Sequence, residues 1–157
     1  MNKLIIRAIG KIPETWQHQG VDMYVDRLKT MAKVGVIELP EGHKGADRPD
    51  VNKTKKVEAE SLLKSLPEPH SLIVLDETGK SLTSPEFASK LQDWGFSGKP
   101  IVFVIGGSWG IDKTVLDQAD FILSLGKMTL PHGLARIVLA EQLYRAAMIN
   151  SGKTYHK

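Results

Sequence analysis

Residue types that can do chemistry are concentrated in Ala119–Met148, ADFILSLGKMTLPHGLARIVLAEQLYRAAM. A short apolar run, Phe121–Leu125, leads into the loop Gly126–His132, and a long apolar helix begins near Gly133. The loop combines Gly126, Lys127, Thr129, Pro131 and His132, so it offers open backbone, a cation, a hydroxyl and an imidazole together. In an open α/β sheet, ligands bind at loops that leave the carboxyl ends of strands. A second loop of this kind, Ile105–Gly110 (IGGSWG), follows another apolar run about twenty residues earlier.

Each feature also has a plainer reading. Gly106-Gly107 lets a ligand approach the backbone closely, and it equally suits a tight strand-to-helix turn. The glycines do not fall at G-x-G-x-x-G offsets, and nothing matches G-x-x-x-x-G-K-[ST], so dinucleotide and nucleoside-triphosphate sites are unsupported. His132, alone, reads as a loop or helix-start histidine. Glu141 and Arg145 stand at i,i+4 in the orientation of a helical salt bridge. However, Glu141 interrupts the aliphatic stripe Leu134, Ile137, Val138, Tyr144, Met148, so it either pairs with Arg145 or faces a polar site. The ending Asn150–Lys157 is polar and basic. A frayed terminus is its default, although Tyr155-His156-Lys157 also suits stacking and phosphate contact.

The elements that position these residues follow from patterning. Lys3–Ile9 and Val34–Leu39 read as strands. Between them Thr15 is expected to cap a helix from about Trp16 to Ala32. Pro40–Val51 reads as a long loop, followed by a helix from about Lys53 to Leu66 that the Pro67-Glu68-Pro69 breaker stops. Ser71–Leu75 is a buried strand closed by a turn at Asp76–Lys80. Ser84-Pro85 opens a helix to about Trp94. Ile101–Ile105, a short helix near Lys113–Gln118, the strand Phe121–Leu125 and the helix Leu134–Met148 complete the chain. This alternation predicts an α/β fold with a mainly parallel sheet and helices on both faces, as one domain over 1–157.

Composition sets outer limits. The 157 residues are 41% hydrophobic and 25% charged, as in an ordinary globular protein. No apolar run approaches a membrane span, and the start MNKLIIRAIGK, broken by Arg7, does not read as a signal peptide. The chain has no cysteine, which excludes disulfides, a thiolate nucleophile and Cys-ligated metal, and suits a reducing cytoplasm. The net charge of +3 is a mild bias toward anionic partners. His43, Lys44, Arg48, Lys53, Lys55 and Lys56 fall in one fourteen-residue segment, which reads either as a solvated surface or as an RNA-contacting patch.

Taken together, IGGSWG, the SLGKMTLPH loop, the RIVLAEQLYRA helix, the terminal YHK, LIIRAIGK and LIVLDETGK resemble the bacterial large-subunit ribosomal RNA methyltransferase H family of the SPOUT superfamily. The resemblance covers essentially the whole chain in the family's order. It implies a carboxyl-terminal deep trefoil knot that forms an S-adenosylmethionine pocket, a topology that local patterning would never propose. It implies N3-methylation of a pseudouridine in the 23S rRNA of assembled ribosomes, by a cytoplasmic homodimer without metal or membrane attachment. Cofactor contacts carry over onto Leu75, Gly107, Gly126, Lys127, Met128, Thr129, Leu130 and Pro131. His132, Glu141, Arg145, Tyr155 and His156 are placed near the reacting centre, with the tail of one protomer reaching toward the other's cofactor. Thr154 departs from the proline that many relatives carry there, leaving the tail less preorganised. His132 or His156 could accept the imide proton, and Arg145 or Lys157 could stabilise the anion. The rival readings are a non-catalytic ribosome- or RNA-binding protein on the same scaffold, and a small-molecule enzyme using His132 as base.

Overall fold

A computed structural model describes residues 2–43 and 45–157. Met1, at the head of the amino-terminal reading, and Lys44, in the basic segment, lie outside the described residues. Five strands alternate with five helices: β1 (Lys3–Ile9), α1 (Thr15–Leu28), β2 (Lys33–Leu39), α2 (Val51–Leu63), β3 (Ser71–Ser81), α3 (Ser84–Trp94), β4 (Ile101–Ile105), α4 (Lys113–Gln118), β5 (Phe121–Ser124) and α5 (His132–Asn150). All the strand pairings are parallel, and the order across the sheet is β2-β1-β4-β3-β5.

The period of two along the strands sorts side chains into two cores. Leu4, Ile6, Ala8, Ile73, Leu75, Ile101, Phe103 and Ile105 face α1, α3 and α5. Ile9, Leu72, Val74, Val102 and Val104 face α2 and α4. Every residue of the apolar run IVFVI in β4 is buried, as a central parallel strand covered on both faces requires. β2, by contrast, is an edge strand with mostly exposed residues.

Element boundaries differ from expectation where capping decided them. Thr15 is the first residue of α1 and not its cap; the cap position falls on Glu14 without a side-chain bond, and the helix ends at Leu28 instead of Ala32. Asp50 caps α2 by accepting from the Lys53 N–H, which starts that helix two residues early, and it stops at Leu63. Thr83, not Ser84, caps α3: its hydroxyl and the Glu86 carboxylate form a reciprocal capping box. Pro131 precedes α5, so His132 is already helical and the helix runs on to Asn150.

The expected turn at Asp76–Lys80 is instead part of β3, which meets β5 twice. Ile73–Leu75 pair with Phe121–Leu123, then Lys80 and Ser81 pair with Leu123 and Ser124, and residues 76–79 make a detour between them. The detour presses on β5 closely enough that a Cβ at Gly79 would lie 2.5 Å from the Ile122 carbonyl oxygen.

α5 is apolar on nearly every side because it packs inside its own chain. Leu139, Leu143 and Ala146 join the core with α3 and β4, while Ala140 and Ile137 join Val21 and Val25 of α1. Leu143→Ala is therefore expected to cost about 3 kcal/mol through lost burial and cavity formation, whereas exposed Val138→Ala should cost under about 1 kcal/mol. Urea unfolding at one fixed protein concentration measures both, and equal effects would refute this packing.

Candidate functional site

The helices that follow β1, β3 and β5 lie on one face of the sheet, while the helix that follows β4 lies on the other. Loops leaving the carboxyl end of β4 and those of its neighbours therefore diverge, and a crevice must open between them. A cleft of about 700 Å³ occupies that place. Its walls are Leu75–Glu77 at the carboxyl end of β3's first segment, Ile105–Ile111 after β4, and Leu123, Leu125, Gly126 and Met128–His132 after β5. A smaller hollow of about 260 Å³ lies against α3 and α5, but neither the β4 loop nor His132 reaches it.

Local bonding shapes each wall. Asp76 accepts from the Thr78 N–H at 3.0 Å and from the Thr78 hydroxyl, at the start of the 76–79 detour in β3. The β4 loop closes through Gly110 N–H donating to the Gly107 carbonyl at 3.1 Å, and Ile111 anchors its far end in the core. In the β5 loop, Ser124 and Gly126 bond reciprocally: the hydroxyl donates to the Gly126 carbonyl at 2.9 Å and accepts from its N–H at 3.2 Å. Gly126 has φ +137°, which a side chain would strain, although open space surrounds the position.

Of the residues carried over as cofactor contacts, Leu75, Gly107, Gly126, Met128, Thr129, Leu130 and Pro131 line this cleft. Lys127 does not, and its side chain is exposed. Gly107 has a second reason to be glycine. A Cβ there would stand 3.0 Å from Ile9 Cγ2 and 3.0 and 3.1 Å from the Glu58 carboxylate oxygens, so the strand-end loop is packed tightly from behind.

The residues expected at the reacting centre fall into two groups. His132 lines the cleft. Glu141 and Arg145, farther along α5, form a separate network with Tyr155 and His156 of the segment that follows it. Arg145 grips Glu141 through Nε at 3.0 Å and a second nitrogen at 2.6 Å, the Tyr155 hydroxyl donates to Glu141 at 3.3 Å, and His156 Nδ1 lies 3.3 Å from Arg145. The Arg145 guanidinium also lies 4.8 Å from the Tyr155 ring centre, in cation–π range. Glu141's bond raises the Arg145 pKa further, while burial and then the Glu141 charge raise that of Tyr155, so this network holds a fixed cation beside a neutral phenol. Glu141 lies nine residues after His132, about 14 Å along the helix.

Sequence reasoning missed Arg136 and Glu58. Arg136 is 2% exposed; it donates to the carbonyls of Ile9 and Gly10 at the end of β1 and to Glu38 of β2 at 2.6 Å. Burial pushes the Glu38 pKa up, but the bond and charge of Arg136 and the Ile12 N–H outweigh it, and the carboxyl stays below its ordinary range. Glu58, also 2% exposed, accepts from the Gly42 N–H at 3.2 Å. Burial and the Glu41 charge raise its pKa against the pull of Gly42 and His43. Arg136 stands in an apolar helical stretch, the same signal that singled out Glu141, whereas Glu58, among Lys55, Lys56 and Glu60, carries no such signal. Among the described residues no cluster of metal-ligating side chains forms, and no helix is long and apolar enough to cross a membrane.

A parallel sheet with a cleft at divergent strand ends defines a protein of the α/β class. The family model described as "Predicted SPOUT methyltransferase" matches residues 2–156, and the chain belongs to that family. Its relatives include the ribosomal RNA large subunit methyltransferase H of Acetivibrio thermocellus, 43% identical over 99% of both chains. The protein of the same name from Halothermothrix orenii is 41% identical over 99% of both, and that from Alkaliphilus oremlandii 39% over the full length of both. The fold is shared with the crystal structure of a probable rRNA-methyltransferase from Porphyromonas gingivalis, with TM-score 0.55 and 13% identity over 95% of this chain and 70% of that one. A probable methylase family protein from Haemophilus influenzae gives TM-score 0.54 and 15% identity over 99% and 71%.

His132 Nδ1 is buried without a hydrogen-bond partner among the described residues. Burial first, and then the Arg136 charge, hold the imidazole below its ordinary 6.5, with Glu41 and Glu38 pulling it partly back. The unfolded chain thus binds this proton at higher pH than the folded one, so stability falls as pH drops below about 6.5 and levels off beneath the folded pKa. His132→Gln is expected to flatten that decline. Urea midpoints taken between about pH 8 and pH 5 test it, and an unchanged slope would contradict a neutral, buried His132.

Proposed function

We propose that this chain is an S-adenosylmethionine-dependent methyltransferase of the large ribosomal subunit, modifying N3 of a pseudouridine in 23S rRNA of the assembled ribosome. The observation that carries this reading is the cleft itself. In a chain 43% identical to a ribosomal RNA large subunit methyltransferase H along its full length, the carried-over positions after β3, β4 and β5 converge on one cavity. The volume suits a small cofactor. The lining suits this one: apolar Leu75, Ile105 and Leu130 for a thioether chain, and open backbone at Gly106, Gly107 and Gly126 to read an adenine.

When bound, S-adenosylmethionine supplies a methyl group already activated by its sulfonium. The chain's own work is to hold and orient, because positioning accounts for most of such catalysis. Leu75, Gly107 and Gly126–Pro131 hold the cofactor, and Lys127, outside the cleft, contributes backbone or surface charge instead. His132, neutral and lining the cleft, is suited to take the imide proton, and His156 is the other candidate. Glu141 keeps Arg145 fixed as a cation beside Tyr155.

In this reading the protein is a cytoplasmic homodimer. The separation of His132 from the Glu141–His156 network along α5 supports it, since a partner's tail would bring the second group to the cleft. The double pairing of β3 with β5 supports threading of the carboxyl-terminal part as a trefoil knot within one domain.

Calorimetry with S-adenosylmethionine and methyl incorporation into ribosomes test the two parts separately. Gly126→Ala should weaken cofactor binding by about tenfold, or 1.4 kcal/mol. Deleting Lys153–Lys157 should leave cofactor affinity within about threefold but lower methylation by roughly a hundredfold or more. A wild-type protein that binds no cofactor would replace this reading with that of an RNA-binding scaffold. Wild-type methylation by the truncated chain would show the tail to be a frayed end.

A further inference from the structure

Glu58 is the one buried carboxylate that neither the cofactor cleft nor the tail network uses among the described residues. Burying such a group costs several kcal/mol unless it is bonded, and only one of its oxygens is. Oε1 accepts from the Gly42 N–H at 3.2 Å; Oε2 has no partner among the described residues. The carboxyl lies directly behind Gly107, where a Cβ would come within 3.0 Å of it. It is therefore wedged between the loop after β2 and the loop after β4, although β1 separates those two strands in the sheet.

The β2 loop is equally close-packed on its own side. A Cβ at Gly42 would meet the Thr54 carbonyl oxygen at 2.5 Å and Glu58 Cγ at 3.1 Å, so this stretch lies flat on α2. Its neighbours continue the contact. Glu41 pairs with His43 at 2.8 Å and approaches Gly10, which the His132 ring also approaches. The segment that begins here carries His43 and Arg48, and α2 carries Lys53, Lys55 and Lys56. An apolar residue at 58 would fill the same space at less cost but could not hold the Gly42 N–H.

We propose that Glu58 is a positioning residue that couples the basic loop after β2 to the Gly106–Gly110 loop after β4. Its carboxyl group seats both at once, so that a polyanion engaging the 43–56 segment alters the cofactor-facing backbone. The functional part of this coupling rests on the cleft being the cofactor site.

Hydrogen exchange of the full-length free protein tests the coupling without any ligand. Glu58→Ala should speed exchange by about tenfold or more in peptides covering both 40–46 and 105–112, with β1 and α3 unchanged. Glu58→Gln keeps an acceptor for Gly42 and should restore near wild-type protection of both loops. Where the alanine variant fails to fold, Glu58→Asp, one methylene too short to reach, takes its place. The reciprocal variant Gly42→Ala should speed exchange at 105–112, a response that a merely local structural role would not give. Acceleration confined to one loop, or a glutamine variant as fast as alanine, overturns the proposal. Calorimetry then asks whether Glu58→Ala also weakens S-adenosylmethionine binding. If the wild-type chain binds none, the cofactor reading falls while the exchange data still decide the coupling.

Discussion

A single buried guanidinium ties the two ends of this chain together. Arg136 enters the fold 126 residues after Gly10, yet it donates to the backbone at the end of β1 and to Glu38 on the edge strand. Both carbonyls lie where β1 stops pairing, so they would otherwise be buried acceptors without partners. By satisfying them, Arg136 fixes the amino-terminal turns of α5 against the sheet, and His132 sits one turn before it. The β5 loop, the position of His132 and the mouth of the cleft all inherit their geometry from this contact.

The cleft is consequently a product of topology more than of any motif. β4 is flanked by β1 and β3, whose following helices lie on the opposite face from its own, so its exit loop separates from theirs on both sides. Glycines at 106, 107 and 126 then leave backbone where side chains would narrow the space or strain the chain. Asp76 and Glu77 bring carboxylates to the β3 wall of the cleft, whereas the cation farther along α5 is tied up by its own partners. Arg145 is committed to Glu141 and stacked on Tyr155, while His132 is held neutral by burial and by the nearby Arg136. A paired cation and a neutral imidazole thus coexist on one helix.

The alternation of strands and helices was legible because β4 and β5 are continuous apolar runs and α1 carries an apolar stripe, Val21, Tyr24, Val25 and Leu28. β4 and β5 were found almost to the residue. What was missed depended on partners far away in sequence. Thr83 takes the α3 cap because Glu86 can answer it, and β3 extends past Leu75 because β5, some forty residues later, offers a second pairing. The cleft-lining positions were picked out by a family resemblance over the whole chain; the loops alone allowed a tight-turn reading. Lys127, carried over with them, is exposed and stands outside the cleft's lining. Arg136 and Glu58 were missed because their partners, the Ile9 and Gly10 carbonyls with Glu38 for one and the Gly42 N–H for the other, are distant in sequence and mostly main chain, which no sequence pattern announces.

Those two residues share a physical logic. A buried ion is weak evidence for stability, because its desolvation roughly cancels its interactions, but it is selective about where its partners stand. Arg136 seats the loop after β1 and Glu58 the loop after β2, and each is bonded to main chain that has no regular partner of its own. Apolar replacements could hold α2 and α5 on the sheet equally well, yet would let the strand-end loops slide. A cleft built from segments at the ends of three parallel strands has no hydrogen-bonded ladder to define it beyond those ends. Directional bonds from a few buried charges are the remaining means of fixing it, and in this fold they come from helices packed on opposite faces of the sheet.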